Sequence, residues 1–226
     1  MRHCAIQKNY TMYAPGSVLI STGNTRVICT ASVEETIPGF LVGSGQGWVT
    51  AEYAMLPGAT PRRKPRSRHK GADGRSTEIQ RLIGRSLRRC VNLTDLNERT
   101  IWIDCDVIQA DGGTRCASIT GAVVALAMAC RRLHAEGKTQ KNAFARNIAA
   151  ISAVLIHGNV IIDPCYEEDS AADVDMNIVM DEEGGVVEIQ GSAEKHTFSR
   201  NQLNAVLDKA ENDLQKLFQL QAEALD

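Results

Sequence analysis

The chain has 226 residues and a formal net charge of −2 at pH 7, with 43% hydrophobic and 23% charged residues. This is the composition of an ordinary globular protein that is long enough to bury a substantial core. No apolar run is predicted to cross a bilayer and the start lacks the apolar core of a signal peptide, so we expect neither a membrane-spanning nor a secreted protein.

The seven cysteines form no Cys-x-x-Cys pair, and an odd number cannot all pair within one chain. They lie in apolar segments or beside basic residues, so we expect reduced cysteines in a cytoplasmic protein rather than a disulfide framework or a zinc site. The five histidines form no His-x-x-x-His pair and so give no sign of a metal site.

Two β-hairpins are predicted, each by a pair of β-rich runs around a Gly-Asn turn. The turns and their flanking runs are Gly23-Asn24 between 17–22 and 25–33, and Gly158-Asn159 between 151–157 and 160–163. The repeated turn favours a duplicated unit, with halves of about 1–138 and 139–226 inside a single domain of residues 1–226.

Other elements follow from glycine spacing and apolar patterning. Residues 43–53 hold spaced glycines before a Trp-Val-Thr run, and because a dinucleotide loop would lead into a helix, we interpret them as a loop entering a strand. Further strands are predicted at 176–180 and 186–190. Ser199 with Gln202 is predicted to cap a long amphipathic helix.

Residues 57–74 are basic, interrupted by proline and poor in apolar residues, which predicts a mobile loop. Six Lys or Arg residues lie within positions 62–70, and charges at this density repel one another. Phosphates relieve such repulsion, so we interpret the loop as a site for a polyanionic partner, with solubility as the alternative. Residues 163–188 are acidic by comparison, which favours a cation-assisted site there.

The segment 109–115, Gln-Ala-Asp-Gly-Gly-Thr-Arg, is predicted to be a strand-to-helix turn. Partial alternation at 101–108 predicts the strand, and small apolar residues at 116–133 predict a fully buried helix. The first N–H groups of a helix lack partners and carry partial positive charge, so this turn is a candidate anion site to which Thr114 and Arg115 add a hydroxyl and a guanidinium. The alternative is a tight turn with a surface arginine.

Apolar residues at helical spacing predict another helix over 77–90, with Thr77 and Gln80 as its capping box. Arg75 lies just before this helix. Two helix N-termini with basic residues are therefore candidates to converge on one anion.

Three carboxylates, Asp169, Asp173 and Asp175, are closely spaced in the acidic region. If this stretch is extended, all three lie on one face of a strand. Like charges on one face repel one another, which makes a Mg²⁺ or Mn²⁺ site a reasonable prediction, the alternative being a solvated acidic edge.

Several motifs, in order along almost the whole chain, carry a family resemblance. They are residues 9–11, 16–19, 29–35, 45–53, 78–83, 104–115, 117–121, 168–172, 175–177 and 188–191. Together they resemble the bacterial ribonuclease PH family, the phosphorolytic exoribonucleases that process tRNA 3′ ends. The resemblance implies an α/β fold of α+β type with duplicated β-rich layers and packed helices, like the second domain of a ribosomal protein. It also implies assembly into a hexameric ring built as a trimer of dimers.

The resemblance also implies site roles. Inorganic phosphate, the co-substrate, would be held by Arg75, Gly113, Thr114 and Arg115. Asp169, Asp175 and Arg115 would be catalytic, and the two aspartates would serve in binding Mg²⁺ or Mn²⁺ and in acid catalysis. Between the two, our own expectation is that Asp169 assists proton transfer and Asp175 is the firmer metal ligand, a division open to reversal. Arg63 and Arg66 match loop arginines that grip the tRNA body, and the full set of RNA-binding candidates is Arg62, Arg63, Arg66, Arg68, Arg81 and Arg85.

The chain departs from the family pattern at several positions. Family members begin earlier, with a Gly-Arg-containing segment. Gly58 stands where an arginine often follows Leu-Pro, Asp173 replaces a glutamate, and Ser76 replaces a threonine. The expected activity is trimming of tRNA precursors and other structured RNA 3′ ends by phosphate, with release of nucleoside diphosphates. Two alternatives are a catalytically silent RNA-binding subunit of an exosome-like ring and a hydrolytic nuclease with two metals.

Overall fold

The computed structural model describes residues 1–66 and 74–226. Within these residues, two sheets and four α-helices make up most of the regular structure. The strands are β1 Cys4–Lys8, β2 Gly16–Thr22, β3 Thr25–Glu34, β4 Trp48–Met55, β5 Thr100–Gln109, β6 Ile148–Ile156, β7 Asn159–Ile162, β8 Val174–Asp181 and β9 Val186–Ala193. The α-helices are α1 Gly74–Leu87, α2 Thr114–Ala135, α3 Tyr166–Ala171 and α4 Arg200–Leu225.

The first sheet has the order β1-β2-β3-β5-β4, in which β4 and β5 are parallel and the other pairs antiparallel. The second sheet, β7-β6-β8-β9, is antiparallel. Both predicted hairpins are confirmed, although the second turns at His157 and Gly158, so that β7 begins one residue earlier than predicted, at Asn159. The predicted α/β class with β-rich layers and packed helices is confirmed.

Helix α2 lies at the centre of the core, where it contacts strands of both sheets. Its length and apolar composition match those of a membrane span, contrary to the expectation from sequence, but 83% of the matching window is buried inside the protein. Helix α2 is therefore a buried core helix, as its small apolar side chains predict. Because α2 follows β5 directly, the 111–115 turn lies where the two sheets meet the helix.

Helix α1 begins at Gly74 instead of Thr77. The predicted capping box of Thr77 and Gln80 is therefore wrong, because both residues lie inside the helix. Arg75 lies within the first turn of α1 rather than before it, which still brings its guanidinium to the N-terminal end. The predicted apolar face is buried, and it packs α1 against β4.

The prediction that three aspartates share one strand face is wrong. Asp169 lies in the short helix α3, Asp173 lies after it, and Asp175 lies in β8. A local cap explains the helix, since the carboxylate of Glu168 accepts the backbone N–H of Cys165 at 2.9 Å and so satisfies a group at the helix start. Asp173 instead accepts the backbone N–H of His157 at 2.8 Å.

The described part of the basic segment, residues 57–66, makes a backbone hydrogen bond within itself and another to the residue before the 111–115 turn. The Lys64 N–H donates to the Pro57 oxygen at 2.9 Å, and the Ala110 N–H donates to the Ala59 oxygen at 2.8 Å. This second bond holds the segment beside the 111–115 turn. Arg68, one of the predicted RNA-binding residues, lies outside the described residues. All seven cysteines are free, as predicted.

Candidate active site

One cavity of about 910 Å³ collects most of the side chains that the sequence singled out. Most of its lining comes from four segments that are distant in sequence: the basic segment, the start of α1, the 111–115 turn and the α3–β8 region. The predicted site residues that line it are Arg62, Arg63, Arg75, Gly113, Thr114, Arg115, Asp169 and Asp175. The structure therefore brings the predicted anion site and the two aspartates together.

Two glycines shape the turn before α2. Gly112 and Gly113 have φ values of +75° and +62°, in the left-handed region that favours glycine. A Cβ on Gly112 would lie 2.3 Å from the backbone oxygen of Pro164, so the turn and the chain before α3 are in direct contact. The Thr25 hydroxyl fixes the same turn, since it donates to the Gly112 oxygen at 2.7 Å and accepts the Asp111 N–H at 2.9 Å.

Thr114 and Arg115, the first two residues of α2, are each oriented by another element. The Thr114 hydroxyl lies 2.8 Å from the phenol oxygen of Tyr53 in β4. Burial raises the pKa of Tyr53, against the opposing effect of the Thr114 hydrogen bond and of the nearby Arg75 and Arg115 charges, so the phenol is neutral at pH 7. A guanidinium nitrogen of Arg115 lies 3.9 Å from a carboxylate oxygen of Glu78 on α1. The N-terminal ends of α1 and α2 thus present their arginines to one cavity.

Asp169 and Asp175 lie close enough for their charges to interact. Burial raises the pKa of Asp169, while the charges of Arg75 and Arg115 act in the opposite direction. Burial also raises the pKa of Asp175, and the negative charge of Asp169 raises it further, again opposed by the two arginines. These shifts show two partly buried carboxylates facing two guanidinium groups, an arrangement that can bind an anion and place an acid beside it.

The aspartate pair fits a hard divalent cation. Over residues 1–66 and 74–226, no group of three or more His, Cys, Asp or Glu side chains is arranged to hold a metal. Mg²⁺ does not require such a cage, because it keeps several waters and commonly binds one or two carboxylates together with substrate phosphates. The negative charge of Asp169 contributes to the raised pKa of Asp175, so a nearby cation would favour the charged form of Asp175.

Sequence reasoning missed Arg2, which ties the start of the chain to this site. Its guanidinium binds the buried carboxylate of Asp163, with Nη2–Oδ1 at 2.6 Å and Nε–Oδ2 at 3.1 Å. The other terminal nitrogen donates to the backbone oxygen of Asp111. A lone arginine far from its partners in sequence carries no local signal, so only the tertiary structure reveals this contact.

The other RNA-binding candidates that the structure describes lie outside this cavity. Arg66 is exposed and outside the lining of the cavity. Arg81 and Arg85 line a separate cavity of about 330 Å³ near Trp48. Arg85 is also engaged within the chain, because its guanidinium binds Glu188 at 2.5 Å and 3.3 Å.

Comparison with known proteins identifies the family to which the chain belongs. Two family models match the chain: the 3′ exoribonuclease family, domain 1, over residues 1–131, and domain 2 of the same family over residues 147–212. Ribonuclease PH of Bacillus pumilus is 54% identical over 223 residues, covering 98% of this chain and 92% of that protein. Ribonuclease PH of Corynebacterium kroppenstedtii is 55% identical over 226 residues, covering 100% of this chain and 89% of that protein.

A solved structure agrees in fold. A chain of the Archaeoglobus fulgidus exosome with RNA bound to the active site superposes with a TM-score of 0.81 at 23% identity, covering 96% of this chain and 87% of that one. At this identity the likeness concerns the fold. The family matches and the identities over the full length decide the assignment: the chain belongs to the 3′ exoribonuclease family and, within it, to the ribonuclease PH group.

Proposed function

We propose that the cavity binds inorganic phosphate at Arg75, Gly113, Thr114 and Arg115 and presents it to an RNA 3′ end beside Asp169 and Asp175. The protein is a phosphorolytic 3′-to-5′ exoribonuclease, and inorganic phosphate is its co-substrate. The observation that supports these site roles is the convergence of two helix N-termini, two arginines and two carboxylates on one cavity.

The chemistry exchanges one phosphorus–oxygen bond for another. A phosphate oxygen attacks the phosphorus that joins the last two nucleotides, and the bond to the 3′-oxygen of the preceding nucleotide breaks. The terminal nucleotide leaves as a nucleoside diphosphate, and the 3′-oxygen takes up a proton. Because the bonds made and broken are alike, the reaction is reversible, and the same site adds nucleotides from diphosphates.

The protein contributes mainly position and charge. Two anions repel each other on approach, and Arg75 and Arg115 offset that repulsion while holding the attacking phosphate in line. The unpaired N–H groups at the start of α2 add donors that need no rearrangement during the reaction. Tyr53 holds the Thr114 hydroxyl in place, which reduces the freedom lost when phosphate binds.

The two aspartates divide the remaining work. We propose that Asp169, which lines the active-site cavity, assists proton transfer to the leaving 3′-oxygen, and the raised pKa of its carboxyl group is compatible with carrying a proton. The negative charge of Asp169 raises the pKa of Asp175, and a neighbouring cation would favour the charged form of Asp175. We therefore propose Asp175 as the metal ligand. A bound Mg²⁺ or Mn²⁺ would neutralise charge on the phosphate oxygens.

The substrate is RNA, and we propose the 3′ ends of tRNA precursors as its physiological form. Arg62 and Arg63 line the cavity, and Arg66 of the same basic segment is exposed outside it. An RNA that extends beyond the cavity would therefore meet further positive charge. Assembly into a hexameric ring is part of this proposal. Its support is the fold shared with a subunit of an exosome.

One experiment tests the activity against its two alternatives. A tRNA with extra 3′ nucleotides is incubated with Mg²⁺, with and without phosphate, and the released nucleotides are identified. Nucleoside diphosphates that form only with phosphate are the expected result. Monophosphates formed without phosphate would indicate a hydrolytic nuclease, and binding without release would indicate a silent ring subunit.

A further inference from the structure

Tyr166 is a large aromatic residue left in the open beside the active site. It is the first residue of α3, and 57% of it is exposed. It lines the 910 Å³ cavity and also an adjoining cavity of about 660 Å³, so it stands where the two meet. Phosphate binding, proton transfer and metal binding make no use of this ring.

The position of Tyr166 is fixed relative to the reacting groups. Its backbone N–H donates to a carboxylate oxygen of Asp111 at 3.0 Å, which links it to the 111–115 turn. It also precedes Asp169 by three residues in the same helix, and side chains at that spacing are neighbours on a helix surface. A nucleotide whose phosphorus lies beside Asp169 therefore has its base within reach of the Tyr166 ring.

The charges around the cavity decide which part of an RNA fits at Tyr166. The cavity receives Arg62, Arg63 and Lys64 from the basic segment, which attract the phosphate backbone. Tyr166 is followed by the exposed Glu167, which lines the adjoining cavity and repels phosphates. Because Glu167 repels phosphates, the part of a nucleotide that fits beside Tyr166 is its uncharged base.

We propose that the Tyr166 ring is a stacking platform for the base of the 3′-terminal nucleotide, the one that is released as a diphosphate. Every base has a π-face, so an aromatic platform holds the terminal nucleotide without selecting its sequence. An exoribonuclease that removes successive nucleotides needs such tolerance. The inference rests on the proposed function, because it assumes that the scissile phosphorus lies between the bound phosphate and Asp169.

The test combines variants of Tyr166 with a substrate that lacks the terminal base. Tyr166→Ala and Tyr166→Phe are compared with the unchanged protein on a short oligoribonucleotide and on the same oligonucleotide with an abasic 3′-terminal nucleotide. Because stacking holds ground state and transition state alike, Tyr166→Ala should raise the KM for the normal substrate by roughly 5- to 150-fold and leave kcat nearly unchanged. Tyr166→Phe keeps the ring and should retain the normal KM.

The abasic substrate provides the decisive comparison. On the unchanged protein it should show the same rise in KM that Tyr166→Ala shows on the normal substrate. On Tyr166→Ala the loss of the base should add little further, because the ring and the base act as one pair. Tyr13→Ala is the matched control, since Tyr13 is 88% exposed and lines neither cavity, and its KM should not change.

Two results would overturn the inference: an unchanged KM in Tyr166→Ala, or fully additive losses from the variant and the abasic substrate. If Tyr166→Ala does not fold, an unchanged KM for the abasic substrate on the unchanged protein overturns it alone. Failure of the proposed function has a different signature, which is the absence of phosphate-dependent diphosphate release from the normal substrate.

Discussion

A carboxylate oxygen of Asp111 lies 3.0 Å from the backbone nitrogen of Tyr166 and accepts its N–H. This single bond joins the turn that begins α2 to the helix that carries Asp169. The second carboxylate oxygen of Asp111 accepts an amide N–H of Asn24 at 3.1 Å. Asp111 is thus a positioning residue that sets the proposed phosphate site and the proposed acid at a fixed separation.

Asp111→Ala should lower the rate at saturating substrate, because both sites lose their common anchor. A displacement of about 1 Å at a reacting centre costs on the order of 10²-fold in rate. Asp111→Asn keeps one oxygen for the Tyr166 N–H and should retain more activity. The measurement is kcat and KM for phosphate and for RNA in each variant, and wild-type kinetics in Asp111→Ala would contradict the positioning role.

Gly112→Ala should destabilise the protein and weaken phosphate binding together. A side chain in the left-handed conformation costs about 1–3 kcal/mol, and here the added Cβ would also meet the Pro164 oxygen at 2.3 Å. Gly158→Ala is the control, since Gly158 has a φ of +80° with no heavy atom within 4 Å of its added Cβ. Chemical denaturation and the KM for phosphate should separate the two variants, and equal losses would show that the Pro164 contact is unimportant.

Arg115→Ala should cost about 10²–10³ in phosphorolysis rate, the scale for loss of a preorganised group that stabilises charge. Arg115→Lys should recover only part of this, because an ammonium group lacks the planar fork that matches phosphate oxygens. Steady-state rates over a range of phosphate concentrations give the comparison. Phosphorolysis at the normal rate in Arg115→Ala would refute the phosphate-site assignment.

Arg66→Ala should weaken binding of tRNA precursors and flatten its dependence on salt, while cleavage of short oligonucleotides stays largely intact, because Arg66 lies outside the lining of the active-site cavity. Each phosphate contact that is lost reduces the slope of log K against log salt by about 0.9 for duplex regions. Arg85→Ala is the control, because Arg85 is already bound to Glu188 away from the main cavity. An equal loss of activity on tRNA precursors and on short oligonucleotides would contradict a role in holding the RNA body.

The sequence predicted those features that depend on neighbouring residues. The 111–115 turn follows from two glycines between a β-rich run and an apolar helix, and both hairpins follow from their turns. The strand prediction for Asp169 is wrong, because Glu168 caps a short helix in a stretch whose period-two spacing of aspartates indicates a strand. Arg2 was missed because its partner Asp163 is 161 positions away, and no local pattern encodes such a contact.

Replacement of the two aspartates should separate metal binding from proton transfer. Asp175→Asn replaces the proposed carboxylate ligand, which lies near the charge of Asp169, by a neutral amide. It should therefore weaken binding of Mn²⁺ to the protein, as measured by electron paramagnetic resonance without RNA. Asp169→Asn should bind Mn²⁺ more nearly as the unchanged protein does. Its kcat at saturating metal should nevertheless fall by about 10²–10⁴-fold, the usual contribution of a general acid.

Metal removal and a comparison of the two variants test whether Asp175 binds the metal and Asp169 transfers the proton. A chelator should abolish phosphorolysis by the unchanged protein, and added Mg²⁺ should restore it, because without the cation the negative charge on the phosphate oxygens would no longer be neutralised. If Asp169→Asn loses Mn²⁺ binding while Asp175→Asn keeps it and loses only kcat, the two roles are exchanged. If the unchanged protein and both variants bind no Mn²⁺ without RNA, the cation is held by the phosphates of the substrates, and the carboxylates act on the leaving oxygen alone.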